Sequence, residues 1–229
     1  MENPPVAVPL FPRAIVARCL PFLIYMAFIA IAELLGWLGV SQADQRWLYA
    51  VKVGAVAVAL AYFWRDYDEL HRWHLTVAST AVAIVAGLIV LILWLSLGAD
   101  WMTIGSAAGF DPTTDGDIDW ALVAVRIAGA ALVVPVMEEL FWRSFLLRWL
   151  DNKRFAALAP GAISIKAIAI SSVLFGVEHN LWLAGLVAGL VYACLYRWHR
   201  SLWSPVLAHA VTNGALGAWV IVTGSWHYW

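Results

Sequence analysis

The chain has 229 residues, of which 63% are hydrophobic and 13% charged. Soluble domains carry about 25% charged residues, so this composition excludes an ordinary water-soluble domain, and its apolar content also excludes a disordered chain. The net charge of −1 supplies no basic surface for nucleic acid. We therefore expect an all-α, polytopic transmembrane helical bundle whose 15 Trp residues favour the membrane–water interfaces.

Apolar runs of about 20 residues, separated by charge clusters, predict the membrane spans. There are seven such runs, at residues 14–40, 47–64, 75–97, 120–150, 163–179, 181–198 and 203–222. Only Glu178, His179 and Asn180 separate the fifth run from the sixth, so a short or partly re-entrant fifth element is an alternative to a full span.

Charge asymmetry predicts a cytoplasmic N-terminus, because basic residues concentrate in cytoplasmic loops. The longest outer loop, residues 98–119, contains five Asp and neither Lys nor Arg. This orientation places most of the basic residues on the cytoplasmic side: Arg13, Arg18, Arg65, Arg72, Arg148, Lys153, Arg154, Lys166, Arg197 and Arg200. We expect an integral protein of a bacterial inner membrane that forms a single membrane domain. Residues 1–119 should form the N-terminal helices and the acidic outer loop, and residues 120–229 the catalytic helical core.

Two pairs of small residues carry structural information. Cys19 and Cys194 lie in apolar runs without disulfide or metal-ligand spacing, so both are interpreted as small buried hydrophobic residues. Gly185 and Gly189 form a G-x-x-x-G pattern that allows close approach of another helix, most simply one in the same bundle.

Ionisable residues within apolar spans cost about 2.5–3.5 kcal/mol each on insertion scales and mark candidate functional sites. The first cluster is Glu138, Glu139 and Arg143. Glu139 and Arg143 have the i,i+4 spacing of a helical ion pair, with the acid N-terminal. This pairing leaves Glu138 alone toward the bundle interior, where isolation in an apolar site favours a general base. Pro135 removes a backbone donor and loosens the helix just before this cluster.

The other two clusters place imidazoles on separate helices. Phe175 and His179 share one helical face, and His209 and Asn213 share another. Histidine relays protons near neutral pH, and an amide together with a second His donates hydrogen bonds to an oxyanion. Counted from the cytoplasmic span ends, the three clusters predict a pocket between the cytoplasmic half and the midplane, opening to the cytoplasm or laterally to lipid.

Each cluster also has a purely structural interpretation. Glu139 with Arg143 is a common kind of intramembrane ion pair, and His209 with Asn213 serves equally as interhelical hydrogen bonding. Glu33, Glu178 and Arg126 lack comparable neighbours and are interpreted as structural or interfacial. The alternatives to an enzyme are a non-catalytic membrane scaffold or immunity factor, and an ion-coupled transporter, although no internal repeat of the transporter kind is present.

The order E-E-x-x-x-R, F-x-x-x-H and H-x-x-x-N resembles the signature of the intramembrane CAAX-protease and bacteriocin-processing family, also called the abortive-infection family. The resemblance covers residues 120–222. The N-terminal segment around residues 18–28 is similar to the CAAX-protease-related proteins that accompany exosortase systems.

The resemblance implies an intramembrane endopeptidase acting on a peptide or a lipidated, membrane-tethered protein. It implies that Glu138 activates water together with His179, that His209 and Asn213 stabilise the oxyanion, and that Glu139, Arg143 and Phe175 support the site. Glu138, His179 and His209 also have the ligand types that Zn²⁺ takes, although no H-E-x-x-H motif is present. Metal-free and zinc-bound water both remain open from the sequence, with a preference for the metal-free mechanism.

Overall fold

A computed structural model of the chain describes residues 12–105 and 109–229. Within these residues, seven long helices form the bundle: α1 Arg13–Trp37, α2 Arg46–Tyr62, α3 Val77–Ser96, α4 Trp120–Asp151, α5 Ile165–Glu178, α6 Trp182–His199 and α7 Trp203–Thr223. A two-stranded antiparallel hairpin, β1 Thr113–Thr114 and β2 Asp117–Ile118, lies between α3 and α4. The all-α prediction is confirmed, and each helix lies on one of the seven predicted runs. Residues 1–11 and 106–108, which belong to the predicted N-terminal region, lie outside the described residues, and the division at residue 119 stays a prediction.

Polar side chains fix where three of the helices begin. Thr76 accepts a hydrogen bond from the Ser79 backbone, Asp119 accepts from Ala121 and Leu122, and Ser164 accepts from Ala167. These N-caps satisfy backbone donors that the first helical turn leaves free. α6 and α7 each end at a residue in the left-handed conformation, Arg200 and Gly224 respectively.

Four of the helices are long and apolar enough to cross a membrane, namely α1, α3, α4 and α7. These helices make the chain an integral membrane protein. The α5 helix has 14 residues, which at 1.5 Å per residue extend about 21 Å, less than the hydrocarbon thickness of about 30 Å. The short fifth element was the alternative left open by the sequence, and the number of complete spans stays a prediction.

Small residues allow α5 and α6 to pack closely. A Cβ atom on Gly189 would lie 3.0 Å from the Cα of Ser172, and one on Gly185 would lie 3.1 Å from the Cα of Gly176. The G-x-x-x-G pattern therefore serves a contact within the bundle, as predicted. Cys19 and Cys194 are free thiols; Cys19 is partly buried and Cys194 is exposed on the helix surface, so neither is the buried residue expected.

A second close contact joins α3 to α7. A Cβ atom on Gly87 would lie 2.4 Å from the carbonyl oxygen of Ala208. The hydroxyl of Thr212 donates to the Gly87 carbonyl oxygen at 2.8 Å. Because no side chain separates the two backbones, α7 is held deep in the bundle, where it carries the third motif.

The loops gather at two opposite ends of the bundle. The basic end consists of the start of α1 and residues 63–76, 152–164 and 200–202, and it is joined by the ion pairs Arg13–Asp66 at 2.8 Å and Arg18–Glu69 at 2.7 Å. The acidic end consists of residues 38–45, 97–105, 109–119, 179–181 and 224–229, and it is joined by hydrogen bonds such as that from the Ile104 amide to the Asn180 carbonyl. The ten basic residues named above lie at or near the basic end. The cytoplasmic assignment of that end stays a prediction.

Candidate active site

The first motif lies between two widened turns of α4. Residues Gly129–Val133 and Leu140–Leu146 are π-helical, and Val134–Glu139 between them is α-helical. Pro135 lies at the start of that central segment. Because proline has no backbone N–H, it cannot donate the hydrogen bond that a regular helix would make to the preceding turn. Single π turns inside α-helices occur frequently at functional sites. The helix therefore presents Glu138 and Glu139 from an irregular backbone.

Glu139 is fully buried and joins two of the three motifs. Its Oε2 lies 3.1 Å from Nε of Arg143, and its Oε1 lies 3.0 Å from Nδ1 of His209. The contact with Arg143 is an ion pair at close range rather than a well-directed hydrogen bond, because its angles fall outside hydrogen-bond geometry. The predicted i,i+4 pair is therefore present, and the same carboxylate also orients His209 from α7.

Arg143, which is buried, contacts two other helices. Its guanidinium lies 4.5 Å from the ring centre of Phe175 on α5 and 5.4 Å from that of Tyr192 on α6. Its Nη2 donates to the carbonyl oxygen of Gly189 at 3.4 Å. A guanidinium over an aromatic face gains electrostatic attraction in addition to packing. Arg143 and Phe175 therefore support the site by fixing α4 against α5 and α6.

The imidazole of His179, the residue that follows α5, is oriented by a backbone carbonyl of that helix. Nδ1 lies 2.7 Å from the carbonyl oxygen of Phe175, and because a carbonyl only accepts, Nδ1 carries a proton. In the neutral ring this leaves Nε2 as the acceptor. The rings of Phe175 and Trp94 flank the imidazole, with centroids 4.6 and 5.4 Å away. His179 therefore presents a basic nitrogen held by aromatic neighbours.

Residues of all three motifs line one cavity of about 210 Å³. They are Glu138 from α4, Phe175 from α5, His179 immediately after α5, and His209 and Asn213 from α7. Glu138 is buried, and its Oε2 has no hydrogen-bond partner among the described residues. A buried carboxyl oxygen with no partner is unusual in native structures. The convergence on one pocket that the sequence analysis required is therefore present.

The two oxyanion candidates are partly engaged. His209 directs Nδ1 at Glu139, so it donates to a substrate only through Nε2, which requires protons on both ring nitrogens. Asn213 donates from Nδ2 to the carbonyl oxygen of Ala130 at 2.8 Å. That carbonyl belongs to the first π turn, and the amide keeps a second hydrogen for another acceptor.

Several residues of the site were missed by the sequence analysis. Tyr192 stacks on His209 with ring centroids 5.0 Å apart and an interplanar angle of 20°. Its hydroxyl donates to Thr212, which in turn donates to the Gly87 carbonyl. A signal was available, because Tyr192 follows Gly185 and Gly189 at i+7 and i+3 on the same close-packed face. The remaining residues of the lining that carry aromatic or charged side chains are Tyr25, Tyr49, Trp94, Arg126, Tyr228 and Trp229.

The cavity extends toward the acidic end, whereas the sequence analysis predicted an opening toward the cytoplasm or the lipid. His179 immediately follows the last residue of α5 at that end, and Trp94 and Arg126 lie near the ends of α3 and α4 that face it. Trp229, at the C-terminus, also lines the cavity. The sequence analysis counted depth only from the basic ends of the helices. Since neither the membrane orientation nor a lateral opening is tested by these contacts, the predicted opening stays a prediction.

The residues proposed as zinc ligands do not form a ready site. Among residues 12–105 and 109–229, no group of three or more His, Cys, Asp or Glu side chains is arranged to hold a metal ion. Nδ1 of His179 and Nδ1 of His209 already face a backbone carbonyl and a carboxylate. A histidine that binds a metal through one ring nitrogen usually donates the other ring N–H in this way, so zinc at Glu138, His179 and His209 stays a prediction.

Comparison with known proteins matches the same region. Residues 120–215 match the family described as type II CAAX prenyl endopeptidase Rce1-like. The matched residues contain all three motifs around the cavity. The match covers 96 of the 229 residues and agrees with the family resemblance stated from the sequence.

The chain is also similar to a curated protein. Over 94 residues, or 40% of this chain, the sequence is 30% identical to a protein of Bacillus subtilis (strain 168) named "Putative membrane peptidase YdiL". The match spans about a third of that relative, 35% of its length. No solved structure matches the chain.

Proposed function

We propose that the chain is an intramembrane endopeptidase that hydrolyses a peptide bond in a membrane-tethered or lipidated substrate. The observation that carries this proposal is the unpartnered, buried carboxyl oxygen of Glu138, which lines the same cavity as His179 and His209. A carboxylate and an imidazole facing one enclosed space are the groups that general-base activation of water requires. The match of residues 120–215 to the Rce1-like family model supports the same chemistry.

In the proposed reaction, Glu138 accepts a proton as the water oxygen attacks the carbonyl carbon. His179 shares this proton through Nε2, because its Nδ1 is held by the Phe175 carbonyl. The oxyanion accepts hydrogen bonds from Nε2 of His209 and from the free amide hydrogen of Asn213. When the C–N bond breaks, the proton passes to the leaving nitrogen, so the water is divided between the two products.

Glu139 and Arg143 act by holding His209 and the three helices in place. The Glu139 carboxylate accepts from Nδ1 of His209 at 3.0 Å, which directs Nε2 toward the cavity. Such preorganised donors are worth about 10²–10³ in kcat when one is removed. We therefore assign Glu139 and Arg143 as positioning residues.

We infer that the substrate enters the cavity from the acidic end. Charge asymmetry predicts that this end lies outside the cytoplasm of a bacterial inner membrane. This is tested by labelling with a membrane-impermeant maleimide in intact cells, in a Cys19→Ala/Cys194→Ala background. Asp117→Cys at the acidic end should react and Lys153→Cys at the basic end should not. Reaction of Lys153→Cys alone would reverse the orientation.

The peptidase proposal is tested with purified protein in nanodiscs and a library of N-palmitoylated peptides. Wild type should release fragments, and Glu138→Gln should lose about 10²–10⁴-fold in rate, the usual contribution of a general base. Asp117→Asn, which removes an exposed carboxylate of the acidic end, is the matched control. Unchanged turnover in Glu138→Gln contradicts the mechanism, and proton flux in liposomes without any cleavage would favour the transporter.

A further inference from the structure

A second, larger cavity adjoins the candidate active site. Its volume is about 540 Å³, and it lies at the acidic end between the end of α1, the start of α2 and residues 109–110. Tyr49, Arg126 and Trp229 line both cavities. A ligand bound in the second cavity therefore lies directly beside the first.

The second cavity is basic although the surrounding end is acidic. Arg46, Lys52 and Arg126 line it, and Glu33 is the single acidic side chain in its lining. These three cations are the basic residues of the chain nearest the acidic end, whereas the five Asp residues of the loop 98–119 lie outside the lining. The cavity therefore attracts an anionic group.

Aromatic rings hold two of these cations in place. The guanidinium of Arg126 lies 4.3 Å from the ring centre of Tyr49 and 5.3 Å from that of Phe110. The Lys52 ammonium lies 4.0 Å from the ring centre of Tyr25 and 5.0 Å from that of Tyr49. The rings orient the cations without neutralising them.

Neither cation has an acidic partner. Within the described parts of the chain, Arg126 and Lys52 form no ion pair, and Nε of Arg126 is buried without a hydrogen-bond partner. A buried donor atom with no hydrogen-bond partner is unusual in native structures. The structural role assigned to Arg126 from the sequence therefore leaves its charge unexplained.

We propose that Arg126, assisted by Lys52, binds a carboxylate of the peptide substrate and thereby positions the scissile bond at Glu138. This inference rests on the proposed peptidase function. Arginine suits the task because its planar fork binds a carboxylate through two parallel hydrogen bonds. Arg126 and Glu138 are 12 residues apart on α4, or about 18 Å along a regular helix. An extended peptide of about five residues spans that distance, which sets the furthest position of the carboxylate from the cleaved bond.

The binding test uses three fluorescent, N-palmitoylated peptides and the inactive Glu138→Gln protein. The first peptide ends in a carboxylate, the second is its amide, and the third is the amide with one Glu side chain. At least one acidic peptide should bind about tenfold more tightly than the neutral amide, a difference of about 1.4 kcal/mol. Adding Arg126→Gln should remove this preference, Arg126→Lys should retain part of it, and the exposed control Arg154→Gln should leave it intact. Equal binding of all three peptides, or a preference that survives Arg126→Gln, overturns the proposal.

Turnover and lipid-binding measurements distinguish carboxylate binding by Arg126 from a structural role of Arg126 and from binding of lipid phosphate. With Glu138 intact, Arg126→Gln should raise KM about tenfold for the preferred acidic peptide, leave kcat unchanged, and have no effect on the neutral amide. A fall in kcat for both peptides would instead show a structural defect. If no peptide is cleaved by wild type, the peptidase proposal fails while the binding test still decides on the carboxylate. Binding of anionic lipid in nanodiscs that depends on Arg126, with no discrimination among peptides, would assign the cavity to lipid phosphate and overturn the proposal.

Discussion

The buried contact between Glu139 and Arg143 predicts a strong stability coupling. We expect Arg143→Met to lower the free energy of unfolding by about 3–5 kcal/mol, because it leaves the Glu139 carboxylate buried without its cation. The variant also loses the contact with the Phe175 ring at 4.5 Å and the hydrogen bond to Gly189. These additional losses place the expected value in the upper half of that range.

The double variant Glu139→Gln/Arg143→Met isolates the charge contribution. Its Gln side chain still accepts from Nδ1 of His209, and no uncompensated charge remains. We therefore expect the double variant to be more stable than Arg143→Met alone by about 1–3 kcal/mol, the cost of leaving a buried polar group without its partner.

The assay is reversible denaturant unfolding of the protein in detergent micelles, with Arg154→Met as the control for removing an exposed arginine. A double variant no more stable than Arg143→Met would refute the reasoning. Such a result would mean that Arg143 stabilises the bundle by packing alone.

Three further predictions follow from the same structure. Gly87→Ala should lower the free energy of unfolding by about 1–3 kcal/mol, because the added Cβ would overpack against the Ala208 carbonyl oxygen. In the same unfolding assay, Gly54→Ala should be neutral or stabilising, because its added Cβ meets no atom within 4 Å. At the basic end, burial raises the pKa of Glu69, but the charge of Arg18 and hydrogen bonds from Ser144 and Arg18 outweigh it, so this pKa lies below its usual value. The stability that the Glu69 carboxylate contributes should therefore be complete above the ordinary pKa of 4.5 and should decline as pH falls through the lower folded pKa. Thermal unfolding measured from pH 7 downward should show a smaller fall in stability for Glu69→Gln than for wild type. Identical pH profiles of the two proteins would contradict this. Purified active protein should contain less than one equivalent of zinc by elemental analysis and keep its peptidase activity after dialysis against a chelator, whereas loss of activity restored by added Zn²⁺ would reverse this prediction.

Local spacing accounts for the parts of the site that the sequence predicted. Glu139 and Arg143 meet because they are i,i+4 on one helix, and His179, the residue that follows α5, is held by the Phe175 carbonyl four positions earlier. The seven apolar runs also located every long helix. These features depend only on neighbours along the chain, which a sequence displays directly.

Contacts between distant helices account for what was missed. Tyr192 stacks on His209 and Trp94 flanks His179 across helix interfaces, and no periodicity in one helix specifies its partner in another. The extension of the cavity toward the acidic end was missed for the same reason, since it depends on which ends of α3, α4 and α5 surround the cavity. The pairing of Glu139 with His209 was likewise unpredicted, because it joins residues 70 positions apart.

The first π turn of α4 changes the angle around the helix axis between residues on its two sides. On a regular helix, 12 residues at about 100° each would place Arg126 and Glu138 about 120° apart around the axis. A π turn takes up one extra residue, because its hydrogen bonds run from i to i+5, and this reduces the offset to about 20°. One widened turn thus aligns a cation near the surface with a carboxylate in the interior along a single stripe of the helix. Shortening that turn by one residue would leave both side chains in the sequence and turn them away from each other.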